Sequence, residues 1–141
     1  MATIVFCEDQ ANIRKLITVA MRGTGHTILL AEDGAAGLAL IRERKPDLVV
    51  ADLAMPNVDG LELYRVLRSE PASASIKIIF LTASTHQGLI RQAKTLPVNG
   101  LLTKPFSPHE LRRTPKGSSP RRARGTIQGG LSQGRLDVSL V

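Results

Sequence analysis

Two hydropathy patterns alternate along the chain. Short, nearly continuous apolar runs occur at 3–7 (TIVFC), 26–31 (HTILLA), 48–51 (LVVA), 76–82 (IKIIFLT) and 100–103 (GLLT), and each reads as a strand. The segments between them carry apolar residues at helical spacing. Residues 12–22 place Ile13, Leu16, Ile17 and Ala20 on one side, with Met21 beside them, and Gly23 and Gly25 end the pattern. Residues 34–44 offer Leu38, Ala39 and Ile41 and finish on basic residues suited to a helix C-terminus. Residues 61–69 bring Leu61, Leu63, Tyr64, Val66 and Leu67, and a weaker helix over 87–96 has Leu89, Ile90 and Ala93 on one side.

Strand and helix therefore alternate about five times. Continuous apolar strands with amphipathic crossovers predict a parallel sheet with helices on both faces. Ligands of such a sheet bind beyond the carboxyl ends of the strands. Polar residues that a buried strand does not need fall at those ends. Glu8 and Asp9 follow the first strand, Asp52 ends the third, Thr82 ends the fourth and Lys104 follows the fifth.

Composition narrows the class. The 141 residues suffice for one ordinary domain, with no Trp and a modest aliphatic core. No stretch approaches a membrane span of roughly 20 apolar residues. The opening MATIVFCEDQ lacks a basic n-region and turns acidic too early for a signal peptide. A single cysteine, Cys7, cannot form an internal disulfide and reads as a small core residue. A cytoplasmic protein is expected. His26, His86 and His109 are scattered and read as solvent-facing, not as metal ligands.

Charge changes the picture near the end. Residues 1–110 hold 12 Lys/Arg and 11 Asp/Glu, whereas residues 111–141 hold 7 Lys/Arg and a single Asp. The basic character belongs to the last segment and says nothing of nucleic-acid binding by the body. Ser107, Pro108 and Glu110 begin a final helix well, as N-cap, first position and third position. Pro115 and Gly117 then break it, and 5 Gly, 4 Ser and 2 Pro crowd residues 111–141. Domain boundaries of 1–111 and 112–141 follow, with the second segment a disordered basic tail. Two origins fit that tail. It could be an extension that binds an anionic partner such as nucleic acid, or a non-native continuation from a shifted reading frame after about Leu111. The loss of helical periodicity favours the second.

Three carboxylates in one crevice repel each other, and burial sharpens the conflict. A hard divalent cation with oxygen ligands resolves it. An ionised Asp52 is then a nucleophile toward a phosphoryl group, with Lys104 offsetting charge and Thr82 donating a hydroxyl.

As a set, Glu8-Asp9, Asp52, MPNVDG (55–60), LTA (81–83) and KPF (104–106) resemble a response-regulator receiver domain of two-component signalling, over about residues 2–110. The resemblance implies a flavodoxin-like doubly wound sheet of five parallel strands in the order 2-1-3-4-5, here with a truncated or missing last helix. It implies Asp52 as phosphoacceptor and Mg²⁺ held by Asp9 and Asp52, by Glu8 largely through water, and by the Ala54 carbonyl. It implies Lys104 as phosphoryl contact with a cis bond to Pro105, and Thr82 as the group that moves on activation. Leu101 stands where the family usually has an aromatic switch residue, and LPVNG (96–100) replaces the usual small-residue turn. The implied partners are a sensor histidine kinase or phosphotransfer protein and an unidentified output protein. Signalling through protein contacts is expected, not turnover of an external substrate. The alternative is a nucleic-acid-binding module working through the tail. A small hydrolase fits worse, because Ala54 sits where a second acid–base carboxylate would be needed.

Overall fold

A computed structural model describes residues 2–83, 85–104 and 107–117 of the chain. Five strands, β1 (Thr3–Cys7), β2 (Thr27–Ala31), β3 (Leu48–Asp52), β4 (Lys77–Ala83) and β5 (Gly100–Lys104), alternate with α1 (Ala11–Ala20), α2 (Gly34–Arg44), α3 (Gly60–Ser69), α4 (Gln87–Lys94) and α5 (Pro108–Gly117). The sheet is parallel throughout, in the order β2-β1-β3-β4-β5. The order turns back at β1, so a crevice opens beyond the ends of β1 and β3.

Alternation along the strands sends side chains to two cores. Ile4, Phe6, Leu48, Val50, Ile79, Leu81 and Leu102 meet Ile17 and Ala20 of α1 and Leu111 of α5. Val5, Cys7, Val49, Ala51, Ile78 and Phe80 meet α2, α3 and α4 through Ile41, Leu61, Leu63, Tyr64, Leu67, Ile90 and Ala93. Every residue of β3 is buried, as a central strand covered on both faces requires.

Local chemistry sets the helix ends. Asp33 and Asp59 cap α2 and α3 by accepting from Ala36 N and Glu62 N. At α5, Ser107 Oγ accepts from Glu110 N at 3.1 Å while Glu110 Oε1 accepts from Ser107 N at 2.9 Å, the reciprocal box the sequence suggested. The helix then runs to Gly117, six residues past Leu111, and Pro115 lies within it.

Several boundaries differ from the pattern-based expectation. α1 stops at Ala20, with Met21 closing the turn, and not at Arg22. α4 stops at Lys94 and not at Leu96, because Leu96 precedes Pro97 and that ring disfavours helical backbone before it. β3 and β5 each extend one residue further, so Asp52 and Lys104 are themselves strand residues. The buried face of α2 also differs in part: Ile41 is buried as expected, but Gly37 packs on the sheet and Gly34 on the loop at Val58, while Ala39 is exposed. A Cβ at Gly37 would lie 2.4 Å from Cys7 Sγ, so the helix sits too close to the sheet for a side chain there. His26 is half-buried, not solvent-facing, and its Nδ1 accepts from Ala2 N at 3.0 Å. Ser84, Pro105 with its expected cis bond, Phe106 and tail residues 118–141 lie outside the described residues. No described helix is long and apolar enough to cross a membrane.

Candidate functional site

The strand register decides which side chains can meet. Asp52 has the same parity as Leu48 and Val50, Lys104 the same as Leu102, and Glu8 the same as Ile4 and Phe6, so all three lean to the α1–α5 side of the sheet. Asp52 pairs with Leu81 and Lys104 with Ala83, which brings the carboxyl ends of β3 and β5 within a side chain's reach across β4.

The result is a compact charge cluster. Lys104 Nζ stands 2.6 Å from Asp52 Oδ2 and 2.9 Å from Glu8 Oε1. Asp52 Oδ1 accepts from Ala54 N at 2.9 Å. Glu8 Oε2 accepts from Gln10 N at 3.1 Å, and the Glu8 backbone carbonyl accepts from Arg14 at 2.9 Å. Glu8 is fully buried and Asp52 is 3% exposed, whereas Asp9 is exposed at the rim. One carboxylate oxygen from each of Glu8, Asp9 and Asp52 lies within 4.8 Å of the other two. α1 begins only at Ala11, so Glu8 and Asp9 are not a first-turn acidic pair serving the helix dipole.

Electrostatics follow from this packing. Burial, then the charge of Asp52, pushes the Glu8 carboxyl up to about 8, against the opposing pull of Lys104. Burial works against the Lys104 ammonium, but its hydrogen bond to Asp52 and the charges of Asp52 and Glu8 outweigh it and raise its titration. Although Glu8 Oε1 is within ion-pair distance of Lys104, no aligned hydrogen bond satisfies that buried atom. A buried carboxylate oxygen without an aligned donor, beside two further carboxylates, is a donor set that fits a hard divalent cation.

Thr82 is placed differently. It shares the parity of Ile78 and Phe80, on the α3–α4 side. Its buried hydroxyl donates to the Ala83 carbonyl at 3.1 Å, and no hydrogen bond joins it to Asp52. Leu101 pairs with Phe80, diagonal to Thr82, and packs half-buried against the same core. The pocket thus has two halves: charged groups on one face of the sheet ends, and the Thr82–Leu101 pair on the other.

Sequence patterns gave no notice of Arg14, which braces the Glu8 carbonyl; Gly60 was legible only as the last residue of MPNVDG, without its packing role. A Cβ on Gly60 would lie 2.5 Å from the Asp52 carbonyl oxygen, so only glycine lets α3 start against the strand end. The turn-like spelling VDG was the available signal. Burial pushes the Cys7 thiol up to about 12, with Asp33 adding to the effect, and that inertness suits a core residue.

A parallel sheet of this order, with carboxylates from β1 and β3 facing a lysine from β5, defines a response regulator receiver domain. The chain belongs to that family, whose model matches residues 4–115. The family is a phosphoacceptor signalling module, not a substrate-turnover enzyme. The chain is 38% identical over 109 residues to the phosphate regulon transcriptional regulatory protein PhoB of Pseudomonas aeruginosa, a match covering 77% of this chain and 48% of PhoB. It is 33% identical over 108 residues to the DNA-binding response regulator MtrA of Mycobacterium tuberculosis, covering 77% and 46%. It thus spans about half the length of these curated relatives. Among solved structures, the chemotaxis response regulator CheY4 of Vibrio cholerae superposes with a TM-score of 0.76 at 26% identity, over 84% of this chain and 98% of that one.

Proposed function

We propose that Asp52 accepts a phosphoryl group from a phosphohistidine of a sensor kinase or phosphotransfer protein, in the presence of Mg²⁺. The observation that carries this reading is Lys104 Nζ set between Asp52 Oδ2 at 2.6 Å and Glu8 Oε1 at 2.9 Å. Glu8, Asp9, Asp52 and the Ala54 carbonyl are the residues that would hold the cation. When bound, the cation offsets the charge of the carboxylates and of the phosphoryl oxygens.

In the transfer, an Asp52 carboxylate oxygen attacks phosphorus. The new O–P bond forms as the P–N bond breaks, and its electron pair leaves on the donor imidazole nitrogen. Lys104 is already oriented by two carboxylates and needs only a small shift to meet a phosphoryl oxygen on Asp52. The Thr82 hydroxyl must leave the Ala83 carbonyl to donate to that oxygen. Its movement would open space beside Leu101, which links the charged half of the pocket to the surface of α4 and β5. Slow loss of the phosphoryl group to water resets the site. The receiver domain signals by presenting that altered surface to an output protein, in the cytoplasm; a role for nucleic acid depends on the basic residues after Leu111.

Amide NMR with Mg²⁺ and beryllofluoride tests this reading, since beryllofluoride stands in for the phosphoryl group on Asp52. The expected result is a set of shifts running from Asp52 to Thr82, Leu101 and Lys104 in the native chain and absent in Asp52→Asn. A dispersed spectrum that does not change in the native chain would overturn it.

A further inference from the structure

The loop that follows Asp52 is fixed from inside the fold and again from outside it. On the inside, Leu53 N donates to Leu81 O at 2.8 Å, Gly60 N donates to Leu53 O at 3.2 Å, and Met55 is buried. On the outside, Val58 N closes onto Pro56 O at 2.8 Å, and between them Asn57 adopts φ 69°, a left-handed conformation that most side chains disfavour. There the loop meets the start of α2. A Cβ on Gly34 would lie 1.8 Å from the Val58 carbonyl oxygen, so the two backbones are in contact. Asn57 Nδ2 donates to Asp33 Oδ2 at 2.9 Å, while Asp33 Oδ1 accepts from Ala36 N at 2.8 Å and caps α2. One carboxylate therefore ties the loop to a helix N-terminus.

We propose that Asp33 and Asn57 are positioning residues for the cation site: their bond fixes the outer turn of the 53–60 loop and thereby the aim of the Ala54 carbonyl and N–H. The proposal rests on the reading of Asp52 and Mg²⁺ given above. The bond is solvent-exposed, so it adds little to global stability. Its effect is local, on how often the loop opens, and loop opening is governed separately from global unfolding. Ala54 lies three residues from Asn57 and donates to Asp52 Oδ1, so a loosened turn disturbs the phosphoacceptor carboxylate itself.

The test uses three variants of the full chain. Asn57→Gly removes the bond while keeping a residue that accepts positive φ. Asn57→Asp sets two carboxylates against each other. Adding Asp33→Asn to Asn57→Asp reverses the bond at unchanged net charge, with Asn at 33 still able to cap α2. Two readouts are taken: amide hydrogen exchange of Leu53, Ala54, Met55 and Val58 without metal, and Mg²⁺ affinity from amide shifts. Asn57→Gly is expected to speed exchange of these amides by up to about ten-fold and to weaken Mg²⁺ binding several-fold, with the melting temperature nearly unchanged. The exchanged pair is expected to return both readouts to within about two-fold of native. Unchanged exchange in Asn57→Gly, or an exchanged pair no better than Asn57→Asp, would overturn the proposal. Tighter Mg²⁺ binding by Asn57→Asp would also overturn it, since added charge would then outweigh geometry. Should the native chain show no Mg²⁺ response, the cation reading itself fails, and the metal-free exchange still decides whether the pair holds the loop.

Discussion

Gly60 touches Asp52 backbone to backbone: a Cβ at 60 would lie 2.5 Å from the Asp52 carbonyl oxygen and 3.0 Å from the Leu53 Cα. Both neighbours are main chain, so neither can swing aside. Gly60→Ala is expected to cost about 1–3 kcal/mol in urea unfolding. It should also shift the amides of Leu53 and Ala54 more than those of β2, because the displacement falls on the strand end that carries the phosphoacceptor.

Glu8 makes stability depend on pH in an unusual direction. Its folded carboxyl titrates near 8 against an ordinary value of 4.5, so the folded state binds the extra proton. Stability is then fully present below about 4.5 and falls as pH rises through about 8, by at most about 1.4 kcal/mol for each pH unit in that window. Thermal melts without divalent metal should show this decline. Glu8→Gln should flatten it, and Mg²⁺ should oppose it because a cation favours the ionised carboxylate.

Lys104 is the counter-charge for two buried carboxylates. Lys104→Met keeps the stem and removes the ammonium, which leaves Asp52 and Glu8 facing each other. In metal-free buffer at pH 8 the expected loss is about 2–3 kcal/mol, less than for a fully buried pair because Lys104 keeps some solvent contact. Mg²⁺ should restore part of it. Equal losses with and without Mg²⁺ would contradict the idea that cation and lysine compensate the same charges.

Gly37 and Cys7 should couple. In the native chain a Cβ at 37 meets Cys7 Sγ at 2.4 Å, but the Cys7 Cβ is 3.6 Å away, an ordinary contact. Gly37→Ala alone should destabilise by about 1–3 kcal/mol. In a Cys7→Ala background most of that cost should vanish, and a double-mutant cycle measures the difference.

Gly37 also shows where the sequence was hard to read. Hydropathy periodicity weighs side chains, so it chose Leu38, Ala39 and Ile41 for the face of α2; Ile41 is buried and Leu38 packs half-buried on the core, but Ala39 is exposed. The helix instead approaches through glycines, whose contribution is the absence of a side chain. Strands were easier. LVVAD and IIFLT are buried on both faces, and a continuous apolar run has few other homes. Glu8, Asp52 and Lys104 were legible because a charge at the end of such a run is costly without a partner. Thr82 was legible as a residue of interest, but its hydroxyl's bond to the adjacent Ala83 carbonyl was not. Strand parity turns its side chain from the Asp52 face, and parity across three strands is a property of register that no local pattern contains. The Asp33–Asn57 bond was hidden for a similar reason: 24 residues separate its ends.

That dependence on register has a consequence for how the protein is made. The Lys104–Asp52 contact spans 52 residues, and its third member comes from β1 at the other end of the folded segment. No fragment shorter than β1 to β5 contains the site. Parallel pairing over such distances closes late and slowly during folding. Whatever binds the completed cluster binds only the folded chain, so it draws the whole equilibrium toward the native state as its concentration rises above its dissociation constant. A nascent chain interrupted before residue 104 would therefore miss both the charge that balances its buried carboxylates and the ligand linkage that protects the finished domain.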